Sequence, residues 1–188
     1  MKYYLKLGFV LLIITVIASG ILAFINSFTE PIIKFNEQKQ KEEARREVHP
    51  EAASFDSIGT INNETITVYA ARAENDSLIG YTFLAVKYGY SSDVKTMVGL
   101  RSDLSINKIK IISQAETPGL GANCTKPEFQ EKFSNLKYDN LLVDKDGGNI
   151  TSITGATITT RTITNSIKEA FDNLDPVLKN TKTEEVTE

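Results

Sequence analysis

Two short stretches of this chain carry residues whose types and spacing could do chemistry. In the first, Thr154-Gly155-Ala156-Thr157, followed by Thr159 and Thr160, gathers hydroxyls around a glycine turn just ahead of a helical repeat. A helix that begins in such a turn offers unpaired backbone N–H groups, the positive end of its dipole and short side-chain oxygens, which together suit a phosphate. The same residues also make a plain N-cap, and local chemistry by itself favours capping. The second stretch is Glu116-Thr117-Pro118-Gly119-Leu120-Gly121. Pro118 before Gly119 fits a type II turn, and Gly121 removes a side chain beside Leu120, so backbone can come close to a flat ring. A connecting turn explains the proline and glycine; Glu116 and Thr117 exceed what it requires.

Other familiar equipment is missing. There is no Gly-x-Gly-x-x-Gly, no Gly-Lys-Ser/Thr phosphate loop, no Cys-x-x-Cys and no histidine-based triad. The single cysteine, Cys124, forbids an intrachain disulfide and cannot alone hold an iron–sulfur cluster. The single histidine, His49, has no Cys or His companion for a metal and reads as a packing or surface residue. Asp144-Lys145-Asp146-Gly147-Gly148-Asn149 suggests a calcium loop, but its glycine is misplaced for an EF-hand and the bidentate glutamate is absent. Net charge is −3; seven basic and five acidic residues among the first fifty leave −5 for the rest, which argues against nucleic acid. A domain so poor in nucleophiles and acid–base groups is suited to carrying a cofactor with chemistry of its own.

The elements that must position these stretches are legible in the periodicity. Ile158, Ile163, Ile167, Ala170, Phe171 and Leu174 place one apolar face on a helix starting near Thr157. Residues 65–69, Leu78 to Tyr88, 95–100 and 106–112 alternate and are rich in β-branched residues, which predicts four strands. Their short links, at Asn62-Asn63, Glu74-Asn75-Asp76 and Ser102-Asp103, predict an antiparallel meander with helices covering one face. A helix over roughly 126–133 and a short strand over Leu141 to Asp144 follow. The fold class is therefore α+β, mainly antiparallel sheet with covering helices.

Ahead of this domain, Leu7 to Ile25 is a run without a charge, long enough to cross about 30 Å of hydrocarbon at ~1.5 Å per residue. Lys2, Lys6 and Ala18-Ser19-Gly20 would also fit a cleaved signal peptide, but the run exceeds the usual ~7–15 residues of one, which favours a transmembrane anchor. Thr29 as cap, Pro31 in the first turn and Pro50 as stop predict a separate polar stalk helix over 30–48, with Ile32, Ile33 and Phe35 left for the bilayer surface or a neighbouring subunit. The expected divisions are an anchor over 1–28, the stalk over 29–50, one domain over 51–176 and a polar, disordered tail over 177–188.

Thr154-Gly155-Ala156-Thr157 resembles the [Ser/Thr]-Gly-Ala-Thr attachment motif of the FMN-binding domain family, whose last threonine carries FMN through a phosphoester. Glu116 to Gly121 resembles the matching segment of the G subunit of the Rnf complex, the ion-translocating oxidoreductase that couples ferredoxin and NAD. With the anchor, the resemblance covers nearly the whole chain. It implies covalent FMN on Thr157, with Thr154, Gly155, Ala156 and Thr159 around it and Glu116, Thr117, Gly119, Leu120 and Gly121 from the other loop. It further implies an electron-carrying subunit of a translocase, not a stand-alone catalyst, with a flavin transferase for maturation and the other Rnf subunits as partners. The implied location is the bacterial inner membrane, single-pass, with the domain on the periplasmic side. Thr151 stands where the attachment motif often has aspartate, and Gln114 where a histidine often precedes the Glu-Thr-Pro loop. The C subunit of the sodium-translocating NADH:quinone reductase resembles the same domain and is an alternative. A non-redox, anchored binding module whose threonines only cap a helix is another.

Overall fold

The computed structural model describes residues 2–61 and 66–174, which divide into two compact units, one up to Gln40 and one from Lys41 onward. The Asn62-Asn63 link and everything beyond Leu174, the expected tail included, lie outside the described residues.

The expected anchor and stalk are one helix, α1 (Lys2–Val48), with Pro31 inside it. Thr29 does not cap a new helix: its hydroxyl donates to Ile25 O at 2.9 Å, and Ser27 donates to Phe24 O at 2.7 Å. Pro31 removes a single intrahelical bond, whereas a break there would orphan up to four carbonyls before it and four amides after it. The Glu30–Lys34 pair spans the proline at 2.6 Å. Within α1 an 18-residue window has a mean hydropathy of 2.7 and none of it is buried, as expected of side chains that face lipid.

In the second unit, β1 (Ser54–Ile61), β2 (Ile66–Arg72), β3 (Leu78–Tyr88), β4 (Asp93–Arg101) and β5 (Ile106–Ser113) form one sheet in chain order. Every neighbour is antiparallel, so the meander is the observed topology. The first strand was not legible in the sequence. It is an edge strand, mostly exposed and interrupted by a bulge at Ser57/Gly59, so no alternating apolar face marks it. Leu141 to Asp144 is not a strand: Val143 makes only an isolated parallel bridge to Ile150, and residues 144–146 form a 3₁₀ turn.

Helix α2 (Pro127–Gln130), continued by a 3₁₀ turn through Phe133, and helix α3 (Thr157–Asp172) enclose the main core against one sheet face. Phe83, Val98, Ile109, Phe133, Ile163 and Ile167 are fully or almost fully buried there. The other face is covered in part, by the last turns of α1, where Ala44 and Val48 pack on Met97, Leu84 and Ile112. Gly99 permits this approach, because a Cβ there would meet Val48 at 2.9 Å. Asn107 Nδ2 donates to Val48 O at 2.7 Å and finishes the helix. His49, wholly buried, donates from Nε2 to Tyr81 O at 3.1 Å. A carbonyl only accepts, which places a proton on Nε2 and makes this histidine a structural tie between the end of α1 and β3.

Candidate functional site

Three segments far apart in sequence meet at one buried carboxylate. Glu116 is 4% exposed, and Oε1 accepts from the backbone amides of Tyr90 at 3.0 Å, Ser91 at 2.9 Å and Ser92 at 3.2 Å. Those amides belong to the turn joining β3 to β4, closed by Gly89 N–H to Ser92 O at 2.7 Å. The other oxygen, Oε2, accepts the hydroxyl of Thr159, in the first turn of α3, at 2.6 Å. Two glycines make room: a Cβ at Gly89 would stand 2.6 Å from Oε1, and one at Gly121 would stand 2.6 Å from Thr159 Oγ1 and 2.8 Å from Oε2. Gln114, the residue in the place of a histidine, accepts the Glu116 amide at 2.7 Å.

Burial pushes the Glu116 carboxyl upward, but the Thr159 hydroxyl and the three amides outweigh it, so its pKa lies below the ordinary value. A folded-state pKa below the unfolded one stabilises the fold above the unfolded pKa, and that contribution fades as pH falls through the carboxylate range. Cys124, fully buried nearby, is pushed up to about 11, first by burial and then by the Glu116 charge, which leaves it an inert thiol.

The Glu-Thr-Pro-Gly-Leu-Gly loop is the expected turn. Leu120 N–H bonds to Thr117 O at 3.1 Å, and Gly119 takes φ +77°. In the second motif, Ala156 N–H bonds to Ile153 O at 2.9 Å across Gly155, at φ +74°. A Cβ on Gly155 would meet Leu120 Cδ2 at 2.9 Å, so the two motifs touch through that glycine.

Plain capping is not what the threonines do. The N-cap of α3 is Ala156, with no side-chain cap, and the amides of Thr157, Ile158 and Thr159 have no acceptor among the described residues. Thr160 Oγ1 accepts from Ile153 N–H at 3.0 Å and donates to Ala156 O at 3.2 Å, while Thr159 is committed to Glu116. Thr157 is half-buried, and its hydroxyl makes no hydrogen bond to a described residue. Of these three hydroxyls it alone has no hydrogen-bond partner among the described residues.

These groups border a cavity of about 620 Å³, within the ~300–1,000 Å³ typical of cofactor sites. Glu116, Thr117, Leu120 and Gly121 line it from one loop, and Gly155 through Thr159 from the other. Two expected residues do not line it: Gly119 sits at the tip of its turn, and Thr154 is exposed on its own. Tyr90 and Ile158 line it without having been expected. Ile158, assigned from periodicity to the buried face, is 50% exposed, because the first turn of α3 overhangs the cavity and not the core. Tyr90 and the amides of Ser91 and Ser92 carried no sequence signal, since backbone donors leave none.

The acidic loop before the second motif is tied down internally. Asp144 Oδ1 accepts from the amide and hydroxyl of Ser152, and Asp146 pairs bidentately with Arg161 at 2.6 and 2.7 Å. Among the described residues no cluster of three or more His, Cys, Asp or Glu could hold a metal.

Comparison with known proteins places this geometry. Residues 89–172 match the FMN-binding domain, and residues 2–48 match the RnfG N-terminal region. The G subunit of a proton-translocating ferredoxin:NAD(+) oxidoreductase complex from Clostridium ljungdahlii is 33% identical over 87% of this chain and 88% of its own. The chain belongs to the family of Rnf G subunits. Another member of that family, the G subunit of the Na(+)-translocating ferredoxin:NAD(+) oxidoreductase complex from Acetobacterium woodii, is 31% identical over 92% of this chain and 94% of its own. The crystal structure of NqrC from Shewanella oneidensis shares the fold of this Rnf family member, with a TM-score of 0.55, 16% identity and coverage of 72% of this chain and 74% of that one.

Proposed function

We propose that this chain is the membrane-anchored flavoprotein subunit of an Rnf-type ion-translocating ferredoxin:NAD oxidoreductase, carrying FMN as a phosphoester on Thr157. The observation that supports the attachment site is the free Thr157 hydroxyl at the cavity wall, beside three amides without acceptors, while Thr159 and Thr160 are engaged. Those amides and the helix dipole favour the diester's negative charge, by about 0.3–1 kcal/mol from the dipole. FMN, when bound, supplies the electron-carrying chemistry. The protein holds it: Leu120 and Tyr90 offer apolar surface to a flat ring, the Gly155 and Gly119 turns shape the two loops, and Glu116 locks both loops to the sheet. A flavin transferase installs the ester, and the remaining subunits of the complex deliver and remove electrons. The identity to Rnf G subunits over nearly the full chain favours this complex over the NADH:quinone reductase, with which the fold is shared.

The test is intact mass of the protein purified from its native host. The expected mass exceeds that of the polypeptide by FMN less water, and a bare polypeptide mass sinks the covalent reading. We further read α1 as a retained single-pass anchor over its first 28 residues, followed by the stalk, with the domain on the extracytoplasmic side. Carbonate and high salt should leave the protein in the membrane pellet, and N-terminal sequencing should begin at or near Met1. A mature chain starting after Gly20 would replace the anchor with a signal peptide.

A further inference from the structure

Glu116 carries a charge for which the site provides no counter-ion. Its two oxygens take bonds only from amides and one hydroxyl, and no Lys, Arg or His among the described residues forms an ion pair with it. Backbone amides cannot accept a proton, so three of its four partners fix the carboxylate as an acceptor. Gly89 and Gly121 keep both flanks of the group clear, and Glu116 itself lines the cavity. A tie between loops needs hydrogen bonds but not a net charge; an asparagine or glutamine would serve one. An uncompensated anion in the floor of a partly enclosed cavity acts on whatever charge is added there, because a low local dielectric screens it poorly.

We propose that Glu116 is a positioning residue that also tunes the cofactor: its charge lowers the reduction potential of the flavin in this cavity by opposing the negative charge that reduction adds. This rests on reading the cavity as the FMN site. Among the described residues no other charged side chain lines the cavity: Tyr90, Thr117, Leu120, Thr157, Ile158 and Thr159 are all uncharged.

Glu116→Gln separates charge from shape. The amide oxygen can keep the bonds from Tyr90, Ser91 and Ser92, and the amide nitrogen can donate to Thr159 Oγ1, which turns its own hydroxyl proton away. Thr159→Val does the reverse, removing the bond while leaving the charge. Both variants and wild type, full-length, flavin-loaded and in detergent, are compared by spectroelectrochemical titration, with loading checked by fluorescence on denaturing gels and with Glu169→Gln, on the outer surface of α3, as a charge control. The expected result is a more positive midpoint in Glu116→Gln, tenfold or more in the oxidised-to-reduced equilibrium, no positive shift in Thr159→Val or Glu169→Gln, and a midpoint near wild type in Glu116→Asp. An unchanged or more negative Glu116→Gln, or an equal positive shift in Thr159→Val, overturns the proposal. Glu116→Gln protein that is unfolded, or folded but flavin-free, overturns it as well, since the charge is then required to build the site. A wild type without flavin instead overturns the proposed function.

Discussion

Thr157→Ala is expected to give a folded, membrane-bound and colourless protein. The side chain makes no hydrogen bond to a described residue, and the N-cap position is Ala156, which makes no side-chain cap, so no cap is lost. The stability change should therefore stay within about 0.5 kcal/mol, the ordinary range for a substitution away from such features. What disappears is the first-turn hydroxyl of α3 that has no hydrogen-bond partner among the described residues, and with it the proposed attachment point. Electron transfer by the assembled complex should fail in parallel. Thr159→Ala is the counterpart. It removes a 2.6 Å bond to a buried carboxylate and should cost about 1–3 kcal/mol, yet leave the flavin attached. Wild type and both variants, co-expressed with a flavin transferase and read by in-gel flavin fluorescence after acid precipitation, decide the matter. Fluorescence that persists in Thr157→Ala and vanishes in Thr159→Ala would move the ester to Thr159.

The second large effect is expected at Gly121. Its added Cβ would fall 2.6 Å from Thr159 Oγ1, 2.8 Å from Glu116 Oε2 and 2.9 Å from Glu116 Cβ, all buried atoms held by their own bonds. Gly121→Ala must therefore prise the knot open, at about 1–3 kcal/mol for overpacking, and flavin loading should fall with it. Gly119→Ala meets open space, and its cost is confined to φ +77°, about 1 kcal/mol, with the flavin retained. Thermal unfolding of the full-length proteins in detergent, paired with flavin absorbance, gives both readouts. Equal losses in the two variants would mean that backbone strain in the loop matters and the Glu116–Thr159 contact does not.

The contrast between these glycines marks the division between what the sequence determined and what folding decided. By itself the sequence determined the membrane run, the strands β2 to β5, the antiparallel meander, the start of α3 at Thr157 and both glycine turns. These depend on local periodicity, on proline and on positive-φ positions, which residue order expresses directly. The edge strand β1 and the outward position of Ile158 were settled by tertiary context, which weighs lost bonds and covered surface over many neighbours at once, whereas the continuity of α1 through Pro31, where every neighbouring residue is exposed, was settled by the helix's own hydrogen bonds. The same holds for the site. The sequence made both Glu116 and Thr159 candidates, 43 residues apart, but could not pair them. Only the fold brought the β3–β4 amides under the carboxylate, engaged Thr159 with Glu116 and Thr160 with the Ala156 carbonyl, and left Thr157 free, because hydrogen bonds between distant segments exist only once the chain has closed on itself.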